Sequence, residues 1–171
     1  MEIIIIALVI IAILGMIGTK TSKPTTFSKS KTGEYAYIKK ERIITQHELA
    51  FYQTLHEAVS GCIIIPQAHL SMFLNHKIHG QNWSRAFSRI NGKSVDFLIC
   101  TICTNDMLPL LAIELDDITH NRPDRQQRDA FVNTVITTAH IPLLRFAASG
   151  WNTGTIKQQV AHALHTSVFE K

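Results

Sequence analysis

The sequence predicts an α/β (α+β) domain: a small mixed sheet flanked by helices and preceded by one N-terminal transmembrane helix. Three observations predict it. Helical and strand periodicities alternate along the chain in the order α, β, α, β, β, α, β, α, which packs into layers when helices cover a sheet. Two apolar runs, Lys93–Cys103 and Leu108–Asp117, flank the turn-forming stretch Thr104-Asn105-Asp106-Met107 and read as a hairpin. Ile3 to Ile17 is apolar throughout, with no charge between Glu2 and Lys20, and Gly18 and Thr19 extend it towards the roughly 17 to 25 residues of a spanning helix.

Taken in order, residues 1–18 form the anchor, with residues 3–18 in the membrane. No basic residue precedes the apolar run, as a secretory leader requires, whereas Lys20, Lys23, Lys29 and Lys31 follow it with no acid before Glu34. That asymmetry places the rest of the chain on the cytoplasmic side of the inner (plasma) membrane, as a single-pass protein. Residues 19–36, rich in Lys, Ser and Thr, read as a flexible basic linker, and residues 37–171 as the folded domain. Thr45-Gln46-His47-Glu48 is a capping box, after which Leu49, Tyr52, Leu55, His56 and Val59 recur at helical spacing until Gly61. Cys62–Pro66 is a β-rich run bounded by Gly and Pro, hence a strand or edge strand. Residues 69–91 hold two short helical pieces, the second with Trp83, Phe87 and Ile90 on one face. Beyond the hairpin, Asp124–Ala139 is a helix with Phe131, Val132, Val135 and Ile136 on one side. Ile141–Phe146 is then a strand, and Thr155 to about Ser167 a closing helix.

With 171 residues the chain has room for one ordinary domain beyond the anchor. Its three cysteines lack framework spacing, which argues against a disulfide scaffold and fits a reducing compartment. Cys100-Thr101-Ile102-Cys103 has C-x-x-C spacing, but with no second pair and an apolar setting it reads as core packing. The net charge of +4 suits a polyanionic partner or, for the lysines beside the anchor, anionic lipid headgroups.

The chemistry concentrates in the hairpin. Leu111–His120 is an apolar strand that ends in Glu114, Asp116, Asp117 and His120, and Val95-Asp96-Phe97-Leu98-Ile99 embeds one acid in its partner. A carboxylate buried in such a run is costly unless a cation or hydrogen bonds compensate it. Asp96 and Glu114 each lie nine residues from Asn105. A simple antiparallel register therefore sets them opposite one another, with side chains about 5 Å apart. Alternation puts Asp116 on the face of Glu114. Carboxylates held that close favour a shared cation, and oxygen-only ligands select Mg²⁺ or Mn²⁺ over zinc. Asp96, Glu114 and Asp116 are therefore the candidate metal ligands, and the chemistry that fits is phosphodiester hydrolysis. The alternative is a solvated strand end, and a one-residue slip would turn Asp96 to the other face.

The chain resembles the domain of unknown function 2726 family in Tyr35–Lys40 leading into Thr45–Leu55, in Val95-Asp96-Phe97, in Ala112–His120, in Arg122–Val132 and in Ile141–Arg145. That family is assigned to the PD-(D/E)XK, restriction-endonuclease-like superfamily, so the resemblance implies a nuclease-like αβββαβ core. It also implies that Asp96 and Glu114, the acid of the E-x-K motif, hold the metal. Asp116 stands where that superfamily has lysine, and a carboxylate cannot stabilise an attacking hydroxide as an ammonium does. Arg128, Arg145 or Lys93 is the expected source of that charge. His120 resembles the histidine that follows the acidic strand in very-short-patch-repair-type nucleases, where it acts as general base or ligand. Its alternative is a surface loop histidine.

Glu57, on the first helix, is a further candidate ligand. Arg122, Arg125, Arg128 and Arg145 are expected to meet a phosphate backbone, or else to form a solvated face among Asp124 and Asp129. The expected protein is a membrane-anchored, Mg²⁺- or Mn²⁺-dependent nuclease-like enzyme acting on DNA or RNA, with Asp96, Glu114, Asp116 and His120 as its catalytic set. A catalytically inactive nucleic-acid-binding module on the same fold and a membrane-surface interaction protein are the alternatives.

Overall fold

The structure, a computed structural model, describes residues 36–102, 106–116 and 123–169. The anchor at residues 1–18, nearly all of the linker, the tip of the hairpin, Asp117, His120 and Arg122 lie outside the described residues. Among the described residues, no helix is long and apolar enough to cross a membrane. The chain divides into Met1–Lys39 and Lys40–Lys171, and the second unit holds the elements that follow.

They are α1 (Gln46–Ala58), β1 (Ile63–His69), α2 (Leu70–Phe73), α3 (Trp83–Ile90), β2 (Ser94–Ile102), β3 (Met107–Asp116), α4 (Pro123–Thr138), β4 (Leu143–Ala147) and α5 (Thr153–Phe169). The strands form one mixed sheet in the order β1-β2-β3-β4. β1, β2 and β3 pair antiparallel, and α4 carries the chain back so that β4 runs parallel to β3. This is the mixed, helix-flanked sheet that the periodicities predict.

Local chemistry sets the boundaries. The Thr45 hydroxyl accepts from the Glu48 N–H while the Glu48 carboxylate accepts from the Thr45 N–H, a complete capping box that starts α1. Gly61, at φ +89°, turns the chain into β1. β1 runs to His69, three residues past the expected end at Pro66. It is an edge strand, so the N–H that proline lacks is lost where a ladder bond can be spared.

Helices cover both faces of the sheet. Phe51, Leu55 and Ala58 of α1 and Ile156 and Val160 of α5 pack over Ile64, Phe97, Ile99, Leu111, Ile113 and Phe146. On the other face Leu70, Ile90, Val132 and Ile136 close over Ala68, Val95, Leu98, Cys100 and Ala112. Cys100 is a buried core thiol, as its apolar setting predicts; Cys103 lies outside the described residues. The expected apolar face of α3 is only partly used. Ile90 enters the core, whereas Trp83 is 51% and Phe87 39% exposed, with only the loop around His76 and Ile78, among the described residues, against them.

Two irregularities decide where the acids fall. Between Ile99 and Cys100 the β2–β3 register shifts, from Ile99↔Leu111 to Cys100↔Pro109, so the turn end and the far end of the hairpin keep different registers. In the other, Ile64 packs into the first core and Ala68 into the second, although residues four apart in a regular strand share a face. The switch occurs around Gln67, whose φ is +50°. Val95 and Phe97 also lie in different cores, so β2 switches at Asp96. The pairs Pro66↔Phe97 and Ala68↔Val95 put Gln67 and Asp96 opposite one another.

Candidate active site

At the end of the sheet away from the hairpin tip, β2 and β3 keep the pairing Phe97↔Ile113, so the next positions along are Asp96 and Glu114. This is the register symmetric about Asn105 that the sequence predicts. Because β2 turns over at Asp96, its side chain meets the ladder edge-on: the Leu115 N–H donates to Asp96 Oδ2 at 2.7 Å. The carboxylate occupies the acceptor place that a β2 carbonyl fills in a regular ladder. Opposite, the Gln67 amide donates to Glu48 Oε1 at 2.7 Å and also hydrogen-bonds the Asp96 carboxyl.

Electrostatics ties these groups together. Burial raises the Asp96 pKa and the charge of Glu48 adds to it, against the Leu115 N–H, the Arg128 guanidinium and the Gln67 amide, which favour the carboxylate. Glu114 is pushed up to about 7, first by burial and then by the charge of Asp96, while Arg145 and Arg128 pull the other way. Arg128 therefore acts on both acids from α4, and its Nη2 donates to the Ser94 carbonyl at 3.4 Å.

Asp116 has a different partner. Arg145 stands beside Glu114 in the parallel β3–β4 register and reaches along the sheet to Asp116, Nη1 to Oδ1 at 2.9 Å. Its Nη2 donates to Asn133 Oδ1 on α4, also at 2.9 Å. Among the described residues, no group of three or more His, Cys, Asp or Glu side chains is arranged to hold one metal ion. Asp96 and Glu114 are coupled to one another, while the third expected ligand is ion-paired to a cation of its own sheet.

Residues 40–164 match the family described as protein of unknown function (DUF2726). The chain belongs to this family. No curated protein and no solved structure matches it. Glu48, Gln67, Asp96, Glu114, Asp116, Arg128 and Arg145 all lie within the DUF2726 span.

Three other sequence candidates stand apart from the acid pair in this DUF2726 domain, or only their backbone is described. The Lys93 ammonium lies 5.0 Å from the centre of the Phe131 ring and donates to the Arg89 carbonyl. Glu57 is exposed and accepts from the Thr153 hydroxyl at 3.3 Å, tying α1 to α5. Arg125 lies in α4 with only its backbone described.

Glu48 and Gln67 are the site residues that sequence reasoning missed. The capping box identified Glu48 as a helix cap, but one of its oxygens is enough for that role and the other faces Gln67. A shallow groove lined by Arg42, Thr45, His47, Glu48 and Gln67 opens beside them and gives solvent a way to the neighbours of Asp96.

Proposed function

We propose that this DUF2726 chain is a membrane-anchored, divalent-metal-dependent nuclease of the PD-(D/E)XK, restriction-endonuclease-like type that hydrolyses phosphodiester bonds of nucleic acid. The observation that carries the reading is the juxtaposition of Asp96 and Glu114 across β2 and β3, with Arg128 acting on both.

The donor set fits Mg²⁺ or Mn²⁺. Two carboxylates on adjacent strands, each destabilised in its charged form by the other or by Glu48, offer oxygen ligands whose charge the protein alone leaves incompletely offset. Mg²⁺ commonly takes one or two carboxylates and leaves its other positions to water and phosphate. Asp96 and Glu114 would hold the ion, and Asp116 would be available to it only if Arg145 released it. Once bound, the ion supplies an activated water and neutralises charge on the phosphoryl group. The Leu115 N–H and Gln67 fix the Asp96 carboxylate in place. Arg128 supplies the fixed positive charge that Asp116 cannot. His120 as general base, and Arg122 and Arg125 on the phosphate backbone, complete the reading, with residues 3–18 as the tether.

The test is cleavage of labelled DNA and RNA by the full chain in nanodiscs with Mg²⁺ or Mn²⁺. Cleavage that is lost in EDTA and in Glu114→Gln supports the reading. No cleavage with any divalent ion, or undiminished cleavage by Glu114→Gln, sinks it. The Asp116–Arg145 ion pair at the lysine position favours a second reading, a binding module without turnover, whose affinity for nucleic acid is indifferent to EDTA.

A further inference from the structure

Between Glu57 and Asp96 the sequence has no acidic residue, yet it carries Lys77, Arg85, Arg89 and Lys93. Most of this stretch is the excursion from β1 to β2 that contains α2 and α3. On α3, Trp83 and Phe87 are four residues apart and share a face, and both remain substantially exposed. An amphipathic helix leaves aromatic rings in water at a cost unless something covers them. These rings are also held in place. The Trp83 indole N–H donates to the Ile78 carbonyl at 2.8 Å, and Phe87 packs against the His76 ring at 5.1 Å.

We infer that the α2–α3 excursion is a docking platform for single-stranded nucleic acid, with Trp83 and Phe87 stacking on bases and Lys77, Arg85 and Arg89 meeting phosphates. Charge selects the occupant, because a polyanion meets four cations here and no acid of the same stretch. Aromatic rings beside cations are what a strand with unpaired bases uses, since every base has a face to stack and a duplex hides it. Position supports the same occupant. Arg89 and Lys93 both lie against the ring of Phe131, at 4.9 and 5.0 Å, and Arg128 lies one helical turn before Phe131 on α4. Arg85 and Arg89 share the flank of α3 opposite the rings, and from that flank a basic track leads through Lys93 to the cation that acts on Asp96 and Glu114. The inference deepens the nuclease reading by naming the form of its substrate, and it rests on that reading for the direction of the track.

The test measures binding of labelled oligothymidylate to the full chain in phosphatidylcholine nanodiscs, in EDTA so that no cleavage occurs. Trp83→Ala weakens binding about tenfold, the loss of one stacked base, and Trp83→Phe restores most of it. The double substitution Lys77→Ala and Arg85→Ala lowers the slope of log affinity against log salt by roughly 1.4, the value for two phosphate contacts on a single strand. Should Trp83→Ala disturb folding, the double variant still decides the matter. Wild-type affinity in all three variants overturns the platform, as does preference for a duplex, or an effect confined to phosphatidylglycerol vesicles. Binding in EDTA that needs Trp83 upholds the platform even in a chain that never cleaves. Cleavage of single strands that ignores both Trp83→Ala and the double variant leaves the nuclease reading intact and overturns the platform.

Discussion

Two consecutive stretches of this chain divide its charge. Ala58–Val95 carries no acid, whereas Asp96–Asp129 carries seven of the 13: Asp96, Asp106, Glu114, Asp116, Asp117, Asp124 and Asp129. They meet within β2. The first stretch turns outward and leaves cations and aromatic rings in water. In the second, Asp96 turns inward to the Leu115 N–H and Arg128, and Asp116 meets Arg145, while Asp106 stays exposed. On the proposed function, the difference teaches that attraction for a polyanion and chemistry on it need opposite charges. This fold separates them in sequence while bringing them to adjoining elements.

Glu114→Gln strikes the acidic stretch hardest. On the proposed function it abolishes metal-dependent cleavage, while in EDTA it stabilises the fold at neutral pH. The folded-state pKa of Glu114, about 7, lies above the ordinary 4.5, so between those values the folded protein holds a proton that the unfolded chain has released. Metal-free stability therefore falls as pH rises through that window and levels off above it, by up to about 3 kcal/mol before discounting for residual solvent exposure. Urea denaturation at pH 5 and pH 8 measures the drop. An identical drop in Glu114→Gln would show that another group causes it.

Metal addition should oppose that loss. At pH 8, Mg²⁺ at a hundred times its dissociation constant stabilises the wild type by about 2.7 kcal/mol, and Asp96→Asn or Glu114→Gln diminishes the gain. A thermal shift equal in all three proteins breaks the assignment of the acids. Arg145→Ala is smaller in effect. Its pair with Asp116 is partly exposed, so a double-mutant cycle with Asp116→Ala should return a coupling of about 0.5–1 kcal/mol. The smallest effect on stability belongs to the acid-free stretch. Trp83→Ala should cost under about 1 kcal/mol, because half the ring is already in water, while still weakening oligonucleotide binding. A larger loss would show that Trp83 belongs to the core.

Much of the fold is legible in the sequence because its signals are local. Thr45 and Glu48 announce α1, Pro66 marks an edge, and the hairpin's symmetry about Asn105 sets Asp96 against Glu114. What is hidden depends on distant segments. The shift at Ile99/Cys100 alters register only towards the hairpin tip, so the expected pairing holds at the acids despite a bulge no pattern reveals. Gln67 lies 29 residues from Asp96, and its positive φ has no glycine to advertise it. The Asp116–Arg145 pair needs the parallel return of β4, which spacing within the hairpin cannot disclose. Periodicity identifies the face shared by Trp83 and Phe87, but it says nothing of what covers that face.

The excursion from β1 to β2 is pinned at its base. Immediately after the pair His69↔Ser94, the Leu70 N–H donates to the Lys93 carbonyl at 2.8 Å. Everything between those two residues hangs from one closed neck, outside the sheet register that sets Gln67 against Asp96. Leu74 and Ile90 return from it to the second core, so the part that can be lengthened, shortened or replaced without touching the acid pair is the largely exposed stretch between those two residues. Grafting a short turn between Leu74 and Ile90, with amide exchange at Leu115 as the readout, tests that independence. Protection of Leu115 that survives the graft marks the neck as a boundary between a part free to diversify and a part held fixed.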